Sequence, residues 1–298
     1  MGAKIYQNKK YIAFFLIPAF VFMLIFLYYP FVQNIINSFQ HIKYMGTAAD
    51  KWNAPFCKNY LEIFKDPKML IALKNTGIMI IATIVGEVGL AIVLSLLVSN
   101  IKKGAGFFRV VYFFPIVISA TALGLLFNLV FLYDKGMINQ LLQLIGALDA
   151  GKNELIDWKA THPMFTMLVP VIWQYVGFYF IILLTGLSGI PEDLYEAADI
   201  DGASKLQQVR YVTLPLLRNS ICTCVVLAVT GALKVFDLPW TMFVNGMSNT
   251  WLTGTYMYSK VYVDVDYSSA IAVVIVIIGV VLSIVVNQIF KTNDDYDV

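Results

Sequence analysis

Six stretches of the chain, at 11–30, 77–98, 110–132, 164–187, 219–240 and 267–290, run about 20 residues or more with few or no charges. At a rise of 1.5 Å per residue, about 20 helical residues cross the ~30 Å of hydrocarbon in a bilayer. Backbone amides in lipid have no water to bond, so only helices and closed barrels span it. The apolar runs are continuous rather than alternating, which excludes barrel strands. The chain therefore reads as an all-α, polytopic membrane protein with six transmembrane helices. Composition agrees: 59% of the 298 residues are hydrophobic and 13% charged, against about 45–50% and 25% in soluble domains. One soluble core of this length cannot absorb that excess.

The first stretch follows Lys4, Lys9 and Lys10 and resembles a signal peptide in its charged start. It exceeds the usual apolar length and lacks a small-x-small cleavage site, so it reads as a retained first helix. With six spans both termini share one side, together with the loops near 99–109 and 188–218. Short loops there carry Lys102, Lys103, Arg109, Lys205, Arg210 and Arg218, and the positive-inside rule places that side in the cytoplasm. Residues 31–74 are expected to carry a short surface helix near 60–71, and residues 133–163 read as polar and turn-rich. A net charge of +2 gives no footprint for nucleic acid. Cys57, Cys222 and Cys224 read as free thiols, and His41 and His162 as solvated loop residues. Nothing in the pattern suggests a catalytic constellation or a metal site.

One polar segment stands apart, running from Gly189 to Pro215 between the fourth and fifth stretches. Pro191 suits a first helical position, and Glu192 and Asp193 favour the positive end of a helix dipole. Asp201-Gly202 interrupts that helix, because glycine adopts a helix-ending conformation at no steric cost. A second short helix is expected to stop before Pro215. On physical grounds alone this is either an ordinary surface helix–turn–helix between spans, or a place where Ala197, Ala198, Gly202 and Ala203 let another protein approach closely.

Glu196-Ala197-Ala198, Asp201-Gly202-Ala203 and Leu214-Pro215 resemble, at matching spacing, the EAA loop of permease subunits in binding-protein-dependent ABC importers. Ile190-Pro191 and Leu194-Tyr195 are similar to the carbohydrate-type branch, which includes the maltose and glycerol-phosphate importers. Val209 departs from the phenylalanine common at its position. Asn75-Thr76, Phe108-Arg109, Gly136 to Asn139 and Lys234 to Asp237 extend the resemblance over roughly 70–290. The family's T-x-G-G-P stretch is replaced by Thr241 to Ser248. The resemblance implies a bacterial cytoplasmic-membrane subunit with both termini cytoplasmic, forming half of a sugar pathway. Its implied partners are a second, homologous permease in a heterodimer, two ATPase subunits and an extracytoplasmic solute-binding protein. Glu196, Ala197, Ala198, Asp201, Gly202, Ala203, Leu214 and Pro215 would then form the surface that couples to the ATPase. Glu196 would make a polar contact, Gly202 the tight turn, and Ala197, Ala198 and Ala203 a close-packed face. The chain carries no G-x-x-x-x-G-K-[ST]; Gly151-Lys152-Asn153 lacks the Mg²⁺-holding hydroxyl. ATP and Mg²⁺ are thus expected on the partner, and no cofactor on this chain. Two segments follow: 1–70, with the first helix and an external loop, and 71–298, the permease core.

Glu87, Lys234 and Asp237 lie at or near membrane depth, where ionisable groups are costly unless paired or facing a cavity. Lys234 and Asp237 are three apart, so a self-paired bridge on one helix face accounts for them without a solute. Glu87 equally fits a helix–helix hydrogen-bonding role. In a subunit of this kind, Trp173, Tyr175, Tyr179, Phe236, Asp237 and Trp240 are candidates for the solute pathway, because aromatic faces stack on sugar rings. The same aromatics also serve as interfacial anchors. An ion-coupled secondary transporter is the alternative reading; it calls for inverted repeats that the two halves do not display.

Overall fold

A computed structural model of the chain describes residues 9–99, 101, 104–149, 154–243 and 249–291. Lys4, Lys102, Lys103, Gly151 to Asn153 and the end of the 241–248 stretch lie outside the described residues. Among the described residues, five helices are long and apolar enough to cross a membrane: Ile12–Asn37, Pro67–Ser99, Pro163–Ser188, Arg218–Met242 and Val265–Ile289. Between the second and third of them, Ala105–Val117 and Ala120–Val130 form a pair bent by 96°. The chain divides into two compact units, Met1–Asp66 with Met257–Val276, and Pro67–Tyr256 with Ile277–Val298.

In the first unit, the long helix exposes Phe14, Phe15 and Phe26, side chains suited to hydrocarbon. A short antiparallel ribbon, which the sequence reading did not anticipate, pairs Gln40 with Trp52 and His41 with Lys51. Phe39 stacks on Phe56 with ring centroids 4.3 Å apart, and Ser38 and Tyr60 hydroxyls meet at 2.7 Å. His41 is not simply solvated. Its Nδ1 lies 3.7 Å from the buried carboxylate of Asp266, which also accepts from Asn59 Nδ2 at 3.1 Å.

In the second unit, Pro163–Ser188 is the central element, with half of its most apolar stretch buried. Its Phe180 and Leu183 pack with Val88, Ala91 and Ala228, and its Met167 and Val171 pack with Met79, Leu123 and Leu238. Lipid is as apolar as leucine, so close van der Waals fit and interhelical hydrogen bonds hold such helices together. Gly177 shows the fit: a Cβ there would strike the backbone carbonyl of Tyr112. Polar ties add to it. Asn75 donates to the carbonyls of Asn249 at 2.9 Å and Trp251 at 3.0 Å. The Arg218 guanidinium donates to the carbonyl of Ile289 at 3.0 Å, serving a helix end whose carbonyls lack intrahelical partners.

Five expectations are corrected. The second apolar helix begins at Pro67 rather than near 77, and the surface helix expected near 60–71 is only Lys58–Ile63. Proline at a helix start loses nothing, because that N–H has no intrahelical partner. The 110–132 stretch breaks at Ile118–Ser119, just after Pro115. There Ser119 accepts from Ala122 N as an N-cap, and buried Gln174 donates 3.0 Å to the freed Ile118 carbonyl. Residues 133–163 include the helix Met137–Leu144. Asn139 anchors it by donating to the carbonyls of Tyr133 and Ile156, both at 3.0 Å, while accepting from Trp158 Nε1 at 3.0 Å. The fifth stretch leaves helical geometry at Val235 (ψ 114°) and Phe236 (φ −137°), so Lys234 and Asp237 do not share one helix face.

Candidate functional site

The segment after Ser188 folds as two short helices about a tight turn. Glu192–Ile200 carries Glu192 and Asp193 in its first turn, with Pro191 one position earlier than expected, as the N-cap. At its far end Ala203 N bonds Ala198 O at 2.9 Å and Gly202 N bonds Asp199 O at 3.1 Å. This is the paired Schellman termination, and it requires a left-handed residue after the cap. Gly202 supplies it with φ +77°. Ser204 then starts the helix Lys205–Gln208 through a reciprocal capping box with Gln207. Two caps back to back set the angle between the helices by local chemistry alone.

A polar clasp spans the turn. Lys205 Nζ donates to the two Asp199 oxygens at 3.0 and 3.2 Å, and Gln208 Nε2 donates to the same carboxylate and to Ala203 O. The Lys205 ammonium first, then the Gln208 amide, hold the Asp199 carboxyl below the usual carboxylate range. Beyond Gln208 the chain does not stop before Pro215 as expected. A π-helical turn, Val209–Thr213, leads into Leu214–Leu216. The wider turn shifts the hydrogen-bond register (Leu214 N bonds Val209 O), so a residue without an N–H is accommodated. Tyr195 and Thr213 hydroxyls, 3.0 Å apart, tie the first helix to this turn.

Glu196, Ala197, Asp201, Gly202 and Pro215 are exposed, whereas Ala198, Ala203 and Leu214 are half-buried. Sequence reasoning missed two features of this surface. One is the clasp of Asp199, Lys205 and Gln208. The other is the pair Ile200 and Leu206, 86% and 79% exposed on either side of the Gly202 turn. An isoleucine at the last position before a cap and a leucine inside the next capping box were the available signal. The turn is otherwise polar, so these two large apolar side chains stand out on it.

A second cluster lies in the same unit. A cavity of about 350 Å³ is lined by Glu87, Tyr175, Tyr179, Lys234, Phe236 and Asp237, among others. Glu87 projects from a π-helical turn, Ile84–Gly89, a distortion frequent at functional sites. Gly86 beside it lets Ile172 approach, since a Cβ would lie 2.6 Å from the Ile172 Cδ1. Lys234 and Asp237 flank the helix break, and the expected bridge does not form: among the described residues neither takes part in an ion pair. Of the six aromatic and acidic candidates, Tyr175, Tyr179, Phe236 and Asp237 meet at this cavity. Trp240 stacks behind Phe236, centroids 5.4 Å apart, and Trp173 sits edge-on to Phe127 at 5.9 Å; neither lines it. The arrangement offers aromatic faces together with unpaired charge of both signs, which suits a polar, ring-bearing solute.

Comparison with known proteins gives the family. A family profile described as "Binding-protein-dependent transport system inner membrane component" matches residues 88–294. The probable ABC transporter permease protein YurN of Bacillus subtilis is 33% identical over 97% of this chain and 99% of its own length. The arabinooligosaccharides transport system permease protein AraP of Halalkalibacterium halodurans is 32% identical over 97% of this chain and 90% of its own. Among solved structures, a chain of a bacterial ABC transporter involved in the import of the acidic polysaccharide alginate superposes with a TM-score of 0.78. It covers 96% of this chain and 97% of that one at 20% identity, a likeness of fold. These relatives are named as transport permeases and not as enzymes. The chain belongs to the family of binding-protein-dependent transport system inner membrane components.

Proposed function

We propose that this chain is one half of the membrane pathway of an ATP-driven importer for a sugar or oligosaccharide, docked through its 192–216 loop onto a separate cytoplasmic ATPase. The observation that carries the reading is the doubly capped turn at Gly202, which holds Ile200 and Leu206 out of a polar loop. With the bent 105–130 pair counted as one crossing, the chain crosses six times, and both termini and this loop lie in the cytoplasm. The loop then sits between the fourth and fifth crossings, with Glu196 as a polar contact beside the apolar pair. Two ATPase subunits carry ATP and Mg²⁺, and a second, different permease completes the pathway. An extracytoplasmic binding protein delivers solute to it. The stiff loop turns closure of the ATPase pair into a displacement of the helices that border the Glu87–Asp237 cavity. Relatives named for arabinooligosaccharides, lactose and multiple sugars support the solute class, as do the aromatic faces of Tyr175 and Phe236.

The test is reconstitution with the companion permease, the ATPase and the binding protein. Ile200→Asp and Leu206→Asp should each abolish solute-stimulated ATP hydrolysis while leaving a folded chain. Undiminished stimulation in both variants overturns the docking assignment. Uptake of labelled lactose, arabinotriose and raffinose, each presented with the binding protein, identifies the solute; failure of every neutral sugar, with uptake of a non-sugar, overturns the sugar assignment.

A further inference from the structure

The first unit holds a cavity of about 450 Å³ whose chemistry differs from that of the one between the apolar helices. Its polar lining includes Gln33, Asn34, Asn37, Gln40, Thr47 and Ser269, and Ile42 and Val265 supply part of an apolar wall. No acidic or basic side chain lines it. A charged ligand would therefore be desolvated without a counter-charge. No aromatic ring lines it either, so a flat heterocycle would find no stacking partner.

What remains is hydrogen-bonding capacity of both kinds. Each side-chain amide presents donors and an acceptor, as does each pair of hydroxyls on a sugar or polyol. Part of that capacity is used internally: Gln33 Nε2 donates to Asn37 Oδ1 at 2.9 Å and Asn34 Nδ2 to Ser269 O at 3.4 Å. Part is left open. The Ser269 hydroxyl, in a residue only 5% exposed, and the Gln40 side-chain amide have no hydrogen-bond partner among the described residues. Both line the cavity. A volume of this size falls in the range of small-molecule sites, ~300–1,000 Å³.

We propose that this cavity is a second ligand site, separate from the Glu87–Asp237 cavity, and that it takes a neutral, polyhydroxylated molecule such as a saccharide ring or a polyol. The amide edges of Asn37 and Gln40 and the Ser269 hydroxyl bond its hydroxyl groups, and Ile42 and Val265 cover its C–H face. The site stands whether or not the transported solute is a sugar.

Saturation-transfer NMR on the full-length chain in nanodiscs tests it, with sorbitol, maltose and raffinose as neutral probes and galacturonate as a charged one. The measurements use a Tyr175→Ala background, which disables the other cavity. A neutral probe should bind saturably, and galacturonate should not compete. Asn37→Leu and, separately, Gln40→Leu should weaken binding about tenfold each, the loss given by one uncompensated hydrogen-bonding group. Neither residue is fully buried, and an unchanged thermal transition confirms that each variant folds. No saturable binding of any neutral probe, unchanged affinity in both leucine variants, or equal binding of galacturonate would each overturn the proposal.

Discussion

At the scale of single residues, the backbone of Gly202 decides the shape of the 192–216 loop. Its φ of +77° costs a residue with a Cβ roughly 1–2 kcal/mol, and no atom stands within 4 Å of where that Cβ would go. The penalty is thus conformational and not steric. Gly202→Val should fold yet lose most solute-stimulated ATP hydrolysis, and Gly202→Asn should keep more of it, because asparagine tolerates the left-handed region. Equal activity in the two variants would show that the turn is not what matters. Asp199 makes a second prediction, about pH. Its carboxyl is held below the ordinary value, so the clasp contributes fully above the unfolded value of ~3.9 and is lost only as pH falls through the lowered native one. Coupling should therefore show no Asp199-dependent change between about pH 5 and 8. Asp199→Asn should loosen the loop at every pH, read as faster amide exchange at Ala203 and Ser204. This part of the molecule was legible in the sequence because caps are local: Asp201-Gly202-Ala203-Ser204 contains its own instructions. The clasp was not, since nothing marks which lysine a surface aspartate will choose.

At the scale of elements, the breaks were the least legible feature. Pro115 and Pro239 stand within a few residues of the breaks at Ile118 and Val235, yet Pro170 sits inside an unbroken helix, so proline alone does not say where a helix bends. The bend at 118–119 depends on Gln174, 56 positions away, whose amide bonds the exposed carbonyl at 3.0 Å. Gln174→Leu should leave that carbonyl unsatisfied in an apolar setting, at a cost of about 1–3 kcal/mol. Ser119→Ala removes an N-cap and should cost ~1 kcal/mol. Both would appear as lowered thermal transitions of the purified chain, with the glutamine change the larger; a reversed order would mean that the cap and not the glutamine holds the bend. Gly177→Ala tests packing on the same helix. Its added methyl meets the backbone of Tyr112, which cannot rotate away, so the loss should reach the upper end of the ~1–3 kcal/mol seen for overpacked cores.

At the scale of the whole molecule, the cavity proposed for solute and the loop proposed for ATPase docking lie in different segments, and they should fail separately. Lys234 and Asp237 face one cavity without pairing, the opposite of what their spacing suggested. If each acts on the solute or the pathway independently, a double-mutant cycle of Lys234→Gln and Asp237→Asn in uptake rate should give a coupling below about 0.5 kcal/mol. A self-contained bridge would instead give a large coupling, with the double variant healthier than either single one. Basal ATP hydrolysis by the assembled transporter should persist in these cavity variants, because the Gly202 loop is intact, while uptake falls. Ile200→Asp should do the reverse: solute binding at the cavity survives, and hydrolysis no longer responds to it. The two measurements together, uptake and solute-stimulated hydrolysis on the same reconstituted preparations, locate each residue on one side of that division. A cavity variant that silenced basal hydrolysis, or a loop variant that abolished solute binding, would show that the two segments act as one site.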